Sequence, residues 1–254
     1  MRCEQVVIRG ATMRALGLAM RDPTHTLILE EGLHIGWEFI DSLMFEKTRP
    51  AMSDASKQLE QDLKMSGVQS GDSLYLPDVY PFLARWAARL GIRILFSTTV
   101  STVASCEKGN VEILAHYGVD TLRIRCAHYI DTMVSATDLG HVRRVWIGGL
   151  AIGNDIPDTM PSVEIKPTNH DQIYAITLDV PPTTPYLTAV RKLTEHFTLS
   201  AGKKPTFQLL TVTPILGVAG DWVDRTVGNV SWYPYTRTTD FYSAIEQVGE
   251  CYEI

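Results

Sequence analysis

Glu4 to Glu31, EQVVIRGATMRALGLAMRDPTHTLILEE, carries the clearest fold signal in the chain. Gln5-Val6-Val7-Ile8 is a short apolar strand, Thr12 to Met20 forms a helix, and Thr26-Leu27-Ile28-Leu29 is a second buried strand ending in Glu30-Glu31. That order, with roughly 20 residues from the turn to the acidic pair, suits a β-α-β unit that binds a dinucleotide and reads its ribose with a carboxylate. The turn departs from this pattern. Where Gly-x-Gly-x-x-Gly should stand, the chain has Arg9-Gly10-Ala11-Thr12-Met13-Arg14. The first glycine allows the tight turn, the second the approach of a pyrophosphate, and the third the helix–strand contact. A relaxed turn accommodates Arg9 and Ala11, whereas Arg14 puts a long charged chain at the helix–strand contact unless it runs outward. A frame one residue later gives Gly10, Thr12 and Ala15. Two readings stay open: Arg9 or Arg14 contacts phosphate directly and a dinucleotide still binds, or the site is empty and the fold is a scaffold.

The chain has 254 residues and a net charge of -6, enough length for a substantial core and the wrong sign for a nucleic-acid groove. Lys203-Lys204 and Arg143-Arg144 are too short to form a basic stripe. The N-terminus lacks an apolar signal region and no apolar run reaches membrane length, so a cytoplasmic location and no membrane partner are expected. Cys3, Cys106, Cys126 and Cys251 lack metal or redox spacing and read as reduced, mostly buried thiols. Asn229-Val230-Ser231 matches a glycosylation sequon that stays idle without secretion. Nucleophile-elbow, His-Glu-x-x-His and phosphate-loop motifs are missing, and nothing gathers Asp221, Asp224 and Glu195-His196 into a metal site.

Past Glu31, Gly32 and Gly36 mark a turn beside the adenosine half of a ligand, or a plain loop. Ser53 to Lys64 reads as a helix. Val79, Phe82, Leu83, Trp86, Ala87 and Leu90 recur at helical spacing after Pro77-Asp78, with Trp86 expected in the core, and Ile92 to Phe96 follows as a strand. Thr99–Ala104, Val111–His116 and Thr121–Arg125 form an antiparallel meander, and Ala127 to Asp131 returns to the central sheet. His116 and His128 read as structural or surface residues. The fold class expected is α/β: a Rossmann-like FAD/NAD(P)-binding domain over residues 1–140, with parallel sheet and meander, then a mixed α+β substrate or cap-like domain over 141–254. Strands at 145–152, 173–178, 207–213 and 228–233, a helix at 185–197 and a terminal helix at 239–252 capped by Asp240 fill the second unit. Trp232, Tyr233 and Tyr235 with Arg237 suit edge packing, a substrate pocket or a subunit interface.

Leu29-Glu30-Glu31-Gly32, Tyr129-Ile130-Asp131-Thr132-Met133-Val134 and the helix-to-strand run 78–95 together resemble the FAD-dependent oxidoreductases of the glutathione-reductase-like fold. The resemblance covers about residues 4–135. It implies that Glu30 holds the adenosine ribose, Gly10 and Ala11 face the pyrophosphate, Val100 lies near the adenine, and Asp131 sits on the strand reaching back to the cofactor. FAD would be the cofactor, with hydride transfer through the flavin. The chain departs from the family in its glycines, at Val134, and at Gly220-Asp221, which does not continue as the later flavin motif. No side chain is assigned as catalytic acid or base, and the substrate is open. A non-catalytic homologue serving as partner subunit or scaffold, and a non-redox nucleotide-binding protein, remain as alternatives.

Overall fold

A computed structural model describes residues 2–43, 50–106, 109–133, 141–154, 160, 162–199, 207–235 and 240–247. The opening unit folds as β1 (Arg2–Arg9), α1 (Met13–Ala19) and β2 (Thr26–Leu29). Thr12 caps α1 by accepting from Ala15 N, which ends the turn and starts the helix. Next come α2 (Trp37–Ile40), α3 (Asp54–Met65), the hairpin β3 (Gln69–Ser70) and β4 (Ser73–Leu74), α4 (Leu76–Arg89) and β5 (Arg93–Leu95). A capping box of Ser53 and Ser56 starts α3. The meander is β6 (Thr98–Ser105), β7 (Val111–Tyr117) and β8 (Asp120–Asp131). The strands expected at 121–125 and 127–131 are one strand, because Arg125-Cys126-Ala127 contains no turn-forming residue.

β8 lies parallel to β1 from Arg2↔Ile124 to Arg9↔Asp131 while its first half pairs antiparallel with β7. β1 pairs parallel with β2, and β2 with β5, so the carboxyl ends of β8, β1, β2 and β5 share one edge. Alternation sends Val6, Ile8 and Ile28 toward the helices, where they meet Leu16, Leu83 and Trp86. Val7, Leu27 and Leu29 face the meander and pack with Val111, Ile113 and Ala115. Trp86 is buried as expected and donates to Asp62 Oδ2 at 2.9 Å.

The second sheet is antiparallel, formed by β9 (Val142–Gly153), β10 (Val163–Pro167), β11 (Ile173–Val180), β12 (Phe207–Val212) and β13 (Gly217–Gly220), with α5 (Tyr186–Leu199) on one face. Trp146 and Leu150 on the other face join the core beneath α1 and α4. The chain then returns to the first sheet. β14 (Arg225–Val227) and β15 (Val230–Trp232) form a hairpin whose second strand pairs parallel with β8, and α6 (Phe241–Glu246) packs on α1. β14, β15 and α6 thus complete the first sheet and its helical layer, although a division at 140 assigns them to the second unit. Asp240 caps α6, and the expected extension to 252 lies outside the described residues, as do Val134, Lys203-Lys204, Arg237 and Cys251. No described helix is long and apolar enough to cross a membrane.

Candidate dinucleotide site

The carboxyl edge of the parallel strands gathers most of the expected residues around the β1–α1 turn. Gly10 takes φ +89° and donates its N–H to Leu29 O, and a Cβ there would lie 2.7 Å from Met133 Sδ and 2.8 Å from Thr132 Oγ1. Glycine is required by both backbone and space. Gly10→Ala is therefore expected to cost about 2–3 kcal/mol, read as a lower urea midpoint at unchanged slope.

Glu30 stands at the end of β2, 3 % exposed, with Oε2 accepting from Ala11 N and Oε1 from Gly32 N, each at 2.6 Å. Burial raises its pKa above the ordinary carboxylate range, and the two N–H groups oppose that rise. Arg9 spans the strand ends, reaching Glu31 Oε1 at 2.7 Å and Asp131 Oδ2 at 3.2 Å. Asp131 also accepts from Met133 N at 2.9 Å, and burial raises its carboxyl despite the nearby Arg9. Val100 packs partly buried against the apolar cluster between the meander and the parallel strands. Its strand reaches the site through Thr98 N, which donates to Glu30 O.

Arg14 corrects the expectation that it grips phosphate or runs outward. Its guanidinium is 1 % exposed and bound by Asp224 at 2.6 and 2.8 Å, Pro234 O at 3.1 Å and Gln247 O at 2.7 Å, over the Tyr233 ring. The helix–strand contact tolerates this side chain because the returning C-terminal segment supplies its acceptors. Trp232, Tyr233 and Tyr235 have internal roles: Trp232 lies under Arg225, Tyr233 is buried under Arg14, and Tyr235 meets Trp37 edge-on. Of the described thiols, Cys126 is buried and Cys3 is exposed, against the expectation that most are buried.

Sequence reasoning missed Glu38, Thr12 and Thr132. Thr132 Oγ1 donates to Arg9 O at 2.7 Å, and Thr12 Oγ1 donates to Thr132 Oγ1 at 3.1 Å. Glu38 is 2 % exposed, and its Oε1 accepts from Met13 N at 2.6 Å. Its Oε2 is buried with no hydrogen-bond partner. Burial first, then Glu30 and Asp41 nearby, push its pKa up to about 8. An acidic residue just after the left-handed Gly36, close behind the second strand, was the signal available for it.

This geometry tests the turn against a dinucleotide. The N–H groups of Ala11 and Met13 each donate to a carboxyl oxygen at 2.6 Å, so the turn presents backbone donors to oxygen acceptors, as a pyrophosphate would require.

The fold is similar to that of solved flavoproteins, monooxygenases and hydroxylases. p-Nitrophenol 4-monooxygenase PnpA from Pseudomonas putida DLL-E4 matches with TM-score 0.61 at 9% identity, over 91% of this chain and 72% of its own. Aklavinone-11 hydroxylase, solved with FAD and aklavinone, matches at 0.57 and 11% identity, over 96% of this chain and 60% of its own. A flavoprotein/dehydrogenase from Cytophaga hutchinsonii matches at 0.54 and 12% identity, over 91% and 70%. The chain spans 55–61% of the length of several further neighbours. At these identities the likeness is one of fold. No protein-family model and no curated protein matches the sequence.

Proposed function

We propose that this chain is an FAD-binding oxidoreductase-like protein, with FAD seated across the carboxyl ends of β1 and β2. The observation that carries the reading is Glu30, buried at the end of β2 and bonded to Ala11 N at 2.6 Å beside the left-handed Gly10. Glu30 would hold the adenosine ribose, the Gly10–Met13 turn would face the pyrophosphate, and Arg9 and Asp131 would line the edge. Val100 would act from the meander layer near the adenine. A bound flavin supplies hydride-transfer chemistry, and the protein supplies position and electrostatics. The second sheet suits a cap or substrate region, since Trp146 Nε1 donates to Ser42 O just beyond α2. Free thiols at Cys3, Cys106 and Cys126 agree with a reducing cytoplasm.

Incubation with excess FAD followed by desalting is expected to leave flavin absorbance in roughly one-to-one ratio with protein. A colourless product would favour the second reading, a non-catalytic homologue acting as partner subunit or scaffold. The sealing of Arg14 by the C-terminal segment supports that alternative, because it turns a fingerprint position into a structural staple.

A further inference from the structure

We propose that Glu38 competes with the FAD pyrophosphate for the β1–α1 turn, and so sets how tightly this chain holds the cofactor. The proposal rests on the FAD reading above. Met13 N–H, the donor a pyrophosphate oxygen would use, is taken by Glu38 Oε1 at 2.6 Å. The two oxygens cannot share that position. Glu38 is also poorly served there, because its Oε2 is buried without a hydrogen-bond partner. A phosphate would satisfy Met13 N–H without burying a carboxyl that lacks half its partners.

The backbone around Glu38 is tied down, so the exchange falls to its side chain. Gly36 N donates to Ala11 O at 2.7 Å on one side, and Trp146 Nε1 donates to Ser42 O at 3.1 Å on the other. Glu30, Asp41 and Tyr235 are the titratable groups that act on Glu38, and none is cationic. Only backbone N–H groups, that of Met13 first, favour its carboxylate form.

The test compares wild type, Glu38→Ala and Glu38→Gln by calorimetric titration with FAD, ADP and adenosine. Far-UV circular dichroism confirms that each is folded, and the near-isosteric glutamine variant covers the case in which alanine disrupts the turn. Glu38→Ala is expected to bind FAD and ADP about tenfold more tightly or better, with a smaller gain for Glu38→Gln. Adenosine affinity should stay unchanged, because adenosine carries no phosphate to compete. Equal or weaker FAD binding by both variants would overturn the competition and leave the FAD reading standing. A gain that extends equally to adenosine would also overturn it, since that reports general loosening. FAD binding to none of the three proteins would overturn the FAD reading and this proposal with it.

Discussion

Arg14→Ala is expected to lower stability by about 3–5 kcal/mol, the range for breaking a buried ion pair by removing one partner. Every guanidinium nitrogen of Arg14 donates: Nε to Gln247 O, Nη1 to Asp224 and Pro234 O, and Nη2 to Asp224. These acceptors lie in the segment that adds β14, β15 and α6 to the first sheet and its helical layer. Alanine removes the charge from beside Asp224, strips two carbonyls of a donor, and leaves Tyr233 without the cation above its ring. The damage should therefore concentrate in residues 225–247. Urea unfolding would show the lost stability, and limited proteolysis would cut near the C-terminus first. Arg14→Lys should fall between the two, because an ammonium keeps the charge but not the planar fork. Unchanged stability with a loss of nucleotide affinity alone would instead restore Arg14 as a phosphate ligand.

Glu38→Gln is expected to change how stability depends on pH. The Glu38 carboxyl titrates near 8 in the folded chain against an ordinary 4.5, with burial as the largest cause. The folded state therefore binds more protons than the unfolded chain between those values, so stability falls as pH rises from about 4.5 to 8. The full loss is on the order of 5 kcal/mol and is complete above pH 8. Glutamine has no proton to lose. Its stability relative to wild type should be small at pH 5 and several kcal/mol more favourable at pH 8.5. Glu30 and Asp131 are also raised by burial, but they titrate in both proteins and largely cancel in the comparison. Urea midpoints at the two pH values supply the check. Parallel pH curves for wild type and variant would contradict the assignment.

The β-α-β opening was legible because its cues are local: apolar runs of strand length, a helix-length segment between them and an acid about 20 residues past the turn. That spacing pointed to the acidic pair Glu30-Glu31, and the family resemblance singled out Glu30 within it. Arg14 could not be placed, since Asp224, which answers its charge, lies 210 residues away. The same holds for the hairpin 225–232, which a sequence division assigns to its neighbours in the chain while its hydrogen bonds belong to β8. Glu38 escaped notice for another reason. A glutamate in the first turn of a short helix is ordinary, and the observed Met13 N–H contact that makes this one unusual exists only after α1 and α2 are packed together.

A dinucleotide is proposed to bind at the turn between β1 and α1 with its ribose on Glu30. Equilibrium titration of wild type and Glu30→Ala with FAD tests it most directly. Saturable one-to-one binding by wild type is expected, with about tenfold or greater weakening in the variant, the scale for losing a buried charged acceptor. Equal affinity of the two proteins, or no binding by wild type at saturating FAD, would contradict it.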